Sequence, residues 1–149
     1  MLYNPAVRSL LQQVVAGLDM GRHALLACTA ARNLHMSEQV MEVFMVNNED
    51  DFKNKVMRST LPVIVNFHAE WCEPCHSLKP LLEKIAKENE GYLHLAEVAV
   101  DDHVELLHAF EVTAVPAVLG IHRGMVVEKF VGLVSHKEVK GFVEKLLNK

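Results

Sequence analysis

From residue 41 to the end of the chain, two patterns of apolar positions alternate along the sequence. Short apolar runs are typical of buried strands, and apolar residues three or four apart are typical of amphipathic helices. Predicted strands occupy residues 41–46, 62–68, 92–100, 117–122 and 125–131. Predicted helices occupy residues 47–58, 73–88 and 104–110, with a closing helix capped by Ser135. The order βαβαβαββα predicts an α/β fold with a mixed central sheet flanked by helices on both faces.

The beginning of the chain has a different character. Apolar residues recur at helical spacing over residues 7–18, which predicts an amphipathic helix. The charged residues of this segment are mostly basic: Arg8, Arg22 and Arg32 against Asp19. A cationic amphipathic helix is typical of an organellar transit peptide, so we predict a transit peptide at residues 1–34 and a folded domain at 35–149. A family-specific N-terminal extension, or a secretory signal with residues 24–28 as its apolar core, stays open as an alternative.

Composition narrows the class of protein. The 149 residues are 50% apolar, enough for the core of one globular domain. The net charge of -4, without a basic stripe on any predicted helix, excludes a broad nucleic-acid interface. No apolar run approaches the roughly 18 residues of a membrane span, so no membrane association is expected of the mature protein. The only cysteines, Cys28, Cys72 and Cys75, are too sparse for a disulfide scaffold, which favours thiols kept for chemistry.

The motif WCEPCH at residues 71–76 admits three kinds of site. A C-x-x-C pair beside a βαβ pattern is typical of a redox dithiol, but C-x-x-C-H is also the attachment motif of c-type haem, and a cysteine pair can form half of a zinc site. Zinc needs four ligands, and no second pair is spaced to supply them. Haem needs more room than a compact α/β domain leaves. The pattern therefore favours the redox dithiol.

The position of the motif between a predicted strand and a predicted helix suggests different roles for the two cysteines. Cys72 falls where backbone N–H groups of the first helical turn lack partners. Those groups and the helix dipole stabilise a thiolate, which is the reactive form of cysteine. Cys75 falls one turn further into the helix, shielded and close enough to form a disulfide. We therefore predict that Cys72 attacks a substrate disulfide and that Cys75 resolves the mixed disulfide.

Several stretches together resemble the thioredoxin family, over about residues 40–148. They are residues 65–75 (VNFHAEWCEPC), Pro80, residues 114–116 (AVP), Arg123 with Gly124, and Gly132. The segments FHA at 67–69 and VDDH at 100–103 are similar to mitochondrial members in particular. The resemblance implies a thioredoxin fold and a protein-disulfide reductase that contributes to redox homeostasis. It also implies no cofactor beyond a redox-active Cys72–Cys75 disulfide.

The resemblance further implies partners and a location. Thioredoxins are recharged by a flavoprotein thioredoxin reductase that draws on NADPH, and they act on disulfide-containing clients such as peroxiredoxins. A monomer in the mitochondrial matrix is expected, with residues 1–34 as a mitochondrial transit peptide and the cytoplasm as the alternative location. Two other functions stay open: a thioredoxin-like partner-binding module with weak turnover, and a secretory thiol oxidant or isomerase.

A docking surface for substrate is also implied by the resemblance. Thioredoxins hold the bond that corresponds to Val115–Pro116 in the cis form, against the dithiol. There the Val115 backbone can pair with an extended stretch of substrate, which supplies affinity without reading side chains. Trp71, Pro74, Pro116 and Gly132 are expected to form a flat apolar surface around it.

The chain departs from thioredoxins at three positions that bear on proton transfer. Thioredoxins usually have glycine at the Glu73 position, aspartate at the Asn66 position and lysine at the Glu97 position. The family's buried aspartate takes the proton of the second cysteine, which an asparagine cannot do. Glu97 is a candidate base in its place, because burial without a cation favours the protonated form and suits a base near neutral pH. The alternative is that Glu97 turns outward and resolution is slow.

Three charged or titratable residues are expected to tune the thiolate. Glu73 favours the helix start but repels a thiolate at short range. His68 and His76, if partly protonated, act in the opposite direction. His76 stands where thioredoxins commonly have lysine, so we expect a solvated, cation-like side chain there.

Overall fold

The computed structural model describes residues 43–149. The predicted transit peptide, Cys28 and the start of the first predicted strand lie outside the described residues. No helix within the described residues is long and apolar enough to cross a bilayer.

The described residues form strands and helices in the order that the apolar pattern predicts. The strands are β1 (Val43–Met45), β2 (Val63–His68), β3 (His94–Ala99), β4 (Ala117–His122) and β5 (Met125–Val131). The helical segments are α1 (Glu49–Asp51, continued as the π-helix Phe52–Met57), α2 (Glu73–Glu88), α3 (Val104–Ala109) and α4 (His136–Leu147). The βαβαβαββα order is confirmed.

The π-helix within α1 differs from the plain helix that the pattern predicts. Its hydrogen bonds run over five residues, as from Arg58 N–H to Lys53 O at 3.1 Å. Phe52 and Val56 are its buried residues. Because residues four apart can be buried together in either form of helix, the apolar spacing does not distinguish them.

The sheet is mixed, with strand order β1-β3-β2-β4-β5. β1 and β2 run parallel to β3, whereas β4 runs antiparallel to both β2 and β5. Arg123 and Gly124, both with positive φ, make the tight turn between β4 and β5. The central strand, β2, therefore ends between two paired neighbours, and the chain leaves the sheet there toward α2.

Alternate residues of the strands belong to two separate cores. Val63, Val65 and Phe67 of β2 pack with buried residues of α1 and α3. Ile64 packs with buried residues of α2 and α4, and Leu95 of β3 lies in that same core. The alternation places the polar residues that follow Ile64 and Leu95 at two-residue spacing on the side of the sheet that α2 covers.

Local sequence explains where the helices over this face begin. Ser135 caps α4 in a capping box: its side chain accepts a hydrogen bond from Glu138 N–H, and the Glu138 side chain accepts one from Ser135 N–H, so the predicted cap is confirmed. Pro74 lies in the first turn of α2, where its missing N–H costs nothing. Pro80 lies inside α2, and the helix continues past it to Glu88.

Candidate active site

The two cysteines of the motif lie at the beginning of α2 and are bonded to each other. Their sulfur atoms are 2.10 Å apart and their Cα atoms are 5.3 Å apart. Cys72 is the N-cap of α2, and its Sγ accepts a hydrogen bond from the backbone N–H of Cys75 at 3.2 Å. Among residues 43–149, no group of three or more His, Cys, Asp or Glu side chains is placed to hold a metal ion. The geometry is that of a C-x-x-C disulfide at a strand-to-helix junction.

Solvent exposure does not separate the two cysteines. Cys72 is 4% exposed and Cys75 is 3% exposed, so Cys75 is shielded as expected and Cys72 is shielded as well. Their positions in the helix do differ. Cys72 Sγ accepts a hydrogen bond in the first turn, and the backbone N–H of Cys75 donates it. In the reduced protein the same donor favours a thiolate on Cys72.

Trp71 projects beside the cysteines with 71% of its surface exposed. Its indole N–H points to Asp101 Oδ1 at 3.5 Å. Trp71, Val100 and Val115 line a shallow cavity of about 180 Å³. Val115 precedes a cis peptide bond to Pro116, as the resemblance implies. Trp71 and Val115, which are 44 positions apart in the sequence, thus share one surface depression.

The other predicted docking residues differ in exposure. Pro74 is exposed, whereas Pro116 is buried and offers little of its ring to a flat surface. Gly132 is half-buried, adopts φ of 90° and donates its N–H to Pro116 O at 2.7 Å. Val131 and Leu133, on either side of Gly132, are exposed apolar residues that the sequence-based set lacks. Two apolar residues around a glycine at a strand end are the signal that could have indicated them.

The residues that flank the cysteine pair are exposed. Glu73 is exposed at the first position of α2, and its effect on the thiolate stays a prediction. His76 Nε2 lies 2.8 Å from Glu70 O. Because a carbonyl oxygen only accepts, Nε2 carries the hydrogen in this bond. His76 is exposed to solvent, and its ring also ties the first turn of α2 to the preceding loop; its cation-like role stays a prediction.

On the α2 side of the sheet, Asn66 of β2 and Glu97 of β3 are buried register partners on adjacent strands. Glu97 is 2% exposed, so the alternative in which it turns outward is excluded. Its Oε2 accepts a hydrogen bond from Lys79 Nζ at 2.7 Å. The expectation of a carboxylate buried without a cation is therefore wrong, because α2 supplies the cation.

The surroundings of His68 disfavour the partial positive charge on which its tuning role depends. Its Nε2 lies 3.8 Å from Glu97 Oε2. Burial lowers the pKa of His68 below its ordinary value; attraction to Glu97 opposes this effect, and the charge of Lys79 adds to it. The ring is therefore mainly neutral at neutral pH. Its contact with Glu97 is not an ion pair there, and it lends no charge to a thiolate.

We call Asn66, His68 and Glu97, together with the exposed Lys79 that contacts Glu97, the polar cluster. Three of its buried atoms, Asn66 Oδ1, His68 Nε2 and Glu97 Oε1, have no hydrogen-bond partner among residues 43–149. A buried polar atom without a partner costs free energy, so a native structure that keeps several together has a reason to do so. Among these atoms, the carboxylate oxygen Glu97 Oε1 is chemically able to accept a proton.

Lys79 is the member of this cluster that the sequence-based prediction lacks. In the sequence it precedes Glu83 by four positions, the spacing of an ordinary surface ion pair, and its Nζ does lie 3.9 Å from Glu83 Oε1. A finer signal is present: Lys79 also follows Cys75 by four positions and lies next to the buried Leu78. That spacing puts Lys79 at the edge of the buried stripe of α2, within reach of the sheet.

Comparison with known proteins agrees with this geometry. The family model for thioredoxin matches residues 43–145. Mitochondrial thioredoxin of Mus musculus is 42% identical over 117 residues, which cover 78% of this chain and 70% of the relative. The probable thioredoxin-2 of Caenorhabditis elegans is 38% identical over 105 residues, which cover 70% of this chain and 72% of the relative. A mutant thioredoxin from Halobacterium salinarum NRC-1 aligns with a TM-score of 0.65 and 28% identity, covering 71% of this chain and 91% of that one.

A paired dithiol at the junction of a central strand and a helix, on a mixed α/β sheet, defines a thiol–disulfide oxidoreductase. The chain belongs to the thioredoxin family and is of its mitochondrial type. It is a protein-disulfide reductase that works through the Cys72–Cys75 pair, and thioredoxins need no cofactor beyond that pair.

Proposed function

We propose that this chain reduces disulfides of client proteins in the mitochondrial matrix, with Cys72 as the attacking and Cys75 as the resolving thiol. The observation that carries the assignment is the hydrogen bond from Cys75 N–H to Cys72 Sγ at 3.2 Å. A donor aimed at one sulfur and not the other favours the thiolate of that sulfur. Cys72 is therefore the better nucleophile of the two.

The reaction balances as two thiol–disulfide exchanges. The Cys72 thiolate bonds to one sulfur of the client disulfide, and the other client sulfur leaves as a thiolate that takes up a proton. Cys75 then gives its proton to a base, and its thiolate attacks Cys72 Sγ. The Cys72–Cys75 bond forms, the bond to the client breaks, and the second client sulfur leaves as a thiolate. The client gains two electrons and the dithiol loses two.

Glu97 is the residue we assign as the base in the resolving step. Asn66 occupies the neighbouring position on β2 but carries an amide, which has no useful basicity. Glu97 brings a carboxylate to the same place, and its Oε1 has no partner among the described residues. A base of this kind contributes to a resolving step by lowering the cost of forming the Cys75 thiolate.

For client binding we assign the surface around Trp71 and Val115. The Val115 backbone precedes a buried proline, and Trp71 and Pro74 are exposed beside it. An extended client segment can add to this edge by backbone hydrogen bonds, while the apolar side chains exclude water around the reacting sulfurs. Gly132 closes the surface on the other side through its bond to Pro116 O.

We assign the partners and the location by analogy with the family. A thioredoxin reductase that draws on NADPH would return the two electrons, and peroxiredoxins are clients of the expected class. The mature protein acts as a monomer, without nucleic acid or membrane. The relatives from mouse and rat are named mitochondrial thioredoxins, which supports the matrix over the cytoplasm. Residues 1–34 act as the transit peptide, and residues 35–149 form the thioredoxin domain.

Trapping of mixed disulfides tests the roles of the cysteines. We expect Cys72→Ser to abolish reduction of insulin in the presence of NADPH and a thioredoxin reductase. We expect Cys75→Ser to accumulate covalent complexes with client proteins, because only resolution is lost. Non-reducing gels read out both variants. If Cys72→Ser trapped clients and Cys75→Ser did not, the roles would be reversed. A parent protein that bound clients but failed to reduce insulin would favour the binding module instead.

A fluorescent reporter fused to residues 1–34 tests the location. We expect the reporter in mitochondria, and a mature protein that begins near residue 35. A diffuse cytosolic reporter, together with an uncleaved chain in cells, would contradict the matrix assignment, and entry into the secretory pathway would favour the thiol oxidant.

A further inference from the structure

Lys79 connects the helix that begins with the dithiol to the buried carboxylate on the sheet. It lies on α2 one helical turn after Cys75, so the two side chains leave the same side of the helix. Its Nζ bonds Glu97 Oε2 at 2.7 Å. Lys79 thus links α2, the helix that carries Cys75, to the carboxylate on β3.

The contact between Lys79 and Glu97 joins an exposed group to a buried one. Glu97 is 2% exposed, so its carboxyl group depends on partners within the protein. A charge-assisted hydrogen bond is roughly twice as strong as a neutral one. Lys79 is 46% exposed, so its ammonium group is open to solvent. The contact therefore connects the half-exposed ammonium group of Lys79 to the buried carboxyl group of Glu97.

The contact also distinguishes the two oxygens of Glu97. Oε2 accepts the hydrogen bond from Lys79 Nζ, and His68 Nε2 lies 3.8 Å from the same oxygen. Oε1 is buried and has no partner among residues 43–149. A carboxylate held through one oxygen presents the other as a free proton acceptor with a defined direction.

We propose that Lys79 is a positioning residue for the resolving step: it holds Glu97 through Oε2 and fixes its orientation, so that Oε1 can take the proton of Cys75. This proposal rests on the proposed role of Glu97 as the base. The proton leaves Cys75 Sγ, binds Glu97 Oε1, and returns to solvent or to the departing client thiolate after the Cys72–Cys75 bond has formed. No electron passes through Lys79 or Glu97.

The surroundings of Glu97 leave Lys79 as the one cation in direct contact with it among the described residues. On β2 the neighbours are Asn66, which is uncharged, and His68, whose pKa burial lowers. The register partner on β1 is Met45. Glu83 of α2 is the second acidic residue close to Lys79.

Two further residues act electrostatically on His68. They are Glu70, in the loop between β2 and α2, and His76, in the first turn of α2. The buried residues of α4 are apolar: Val139, Phe142, Val143 and Leu146.

Stopped-flow reaction of the reduced protein with 5,5′-dithiobis(2-nitrobenzoate) separates the two chemical steps. Attack by Cys72 releases the first coloured thiolate, and resolution by Cys75 releases the second. The first phase tests the proposed cysteine roles, and the second tests Lys79. Both phases are measured against pH for the parent, Lys79→Met, Lys79→Arg and Lys84→Met, and the first phase is also measured for Cys75→Ser. Lys84→Met is the matched control, because Lys84 is an exposed lysine of the same helix.

We expect Lys79→Met to slow the second phase at neutral pH by about tenfold and to move its pH midpoint to higher pH, while the first phase is unchanged. Lys79→Arg should restore most of the rate, and Lys84→Met should match the parent. A second phase in Lys79→Met with the parent's rate and pH midpoint would overturn the proposal. Loss of the first phase in Cys75→Ser would instead contradict the assigned order of the cysteines.

A double variant keeps the proposal testable even where Lys79→Met folds poorly. Glu97→Gln removes the buried charge, so Lys79→Met in that background leaves no unpaired carboxylate. If Lys79 acts through Glu97, the second phase of Glu97→Gln and of the double variant will have the same rate and the same pH dependence. A further loss in the double variant would show that Lys79 acts by another route, and would overturn the proposal.

Discussion

The two faces of the central sheet are built differently, although the same strands supply both. Toward α1 and α3, β2 presents Val63, Val65 and Phe67, all fully buried and apolar. Toward α2 and α4, the same strand presents Ile64 and then Asn66. The first face gains free energy from every side chain it buries. The second gives up part of that gain by burying an amide.

The difference shows where this protein accepts a cost for chemistry. An amide and a carboxylate buried on adjacent strands require partners, and the carboxylate finds one in Lys79. Thioredoxins usually have their acid at the Asn66 position and their lysine at the Glu97 position. In this chain the carboxylate is Glu97 on β3 and the ammonium group is Lys79 on α2, so the site keeps an acid and a cation but at different positions. The apolar face has no comparable constraint beyond volume and shape.

The largest expected effect belongs to the apolar face. Phe67→Ala removes a fully buried ring between β2 and the α1 and α3 helices, and should lower the free energy of unfolding by about 3–5 kcal/mol. Urea unfolding measures it. Under conditions where the variant is folded, we expect the pH midpoint of resolution to match the parent. A shifted midpoint would mean that the apolar face also tunes the chemistry, and would break the comparison.

The next effect belongs to the polar face. Glu97→Gln should slow resolution roughly 10- to 100-fold, which is about 1.4 to 2.7 kcal/mol of barrier, and leave attack by Cys72 nearly unchanged. Adding Asn66→Asp should recover much of the rate, because it restores a carboxylate on the adjacent strand. Single-turnover kinetics decides. Equal resolution rates in the parent and Glu97→Gln would leave Glu97 as an ordinary strand residue.

The smallest effect concerns His68 and appears in the pH dependence of stability. Because burial holds the pKa of folded His68 below its unfolded value, the unfolded chain binds the proton first as the pH falls. Its contribution to stability is complete above the unfolded pKa and is lost as the pH falls from there through the folded pKa. His68→Gln should therefore reduce the loss of stability in that window, measured by urea unfolding at several pH values.

Two histidine variants sharpen this last comparison. His108 is exposed at the end of α3, so His108→Gln is the matched control and should leave the slope of stability against pH unchanged. A slope that is equal in the parent and in His68→Gln would contradict the assignment of a buried, neutral ring to His68. A slope that changes equally in both variants would do so too.

Most of the fold could be predicted because its signals are local. The predicted bounds of β4 and β5 agree with the structure, and α2 was predicted at residues 73–88 as observed. The strand at 92–100 is observed as His94–Ala99, a difference confined to its ends. The π-helical part of α1 was missed, since burial of Phe52 and Val56 is satisfied by either form of helix.

The residues of the site likewise fall into those that local sequence predicts and those that it does not. The Cys72–Cys75 pair and its helix position follow from residues within one short stretch, because an N-cap and its first turn are formed by neighbours in sequence. The charge state of His68 and the partner of Glu97 do not follow from any short stretch of sequence. Lys79 is 18 positions from Glu97, and only the packing of α2 on the sheet brings the two within 2.7 Å.

The sequence by itself determined the order of strands and helices, the dithiol motif and its polarity, and the family to which the chain belongs. These depend on apolar periodicity and on hydrogen bonds between near neighbours, which hold wherever the segment lies. Tertiary structure alone decided which cation meets Glu97, that His68 is mainly neutral at neutral pH and that Pro116 is buried. Burial and electrostatic contact depend on distances between segments remote in sequence, and those distances exist only once the sheet and its helices have packed.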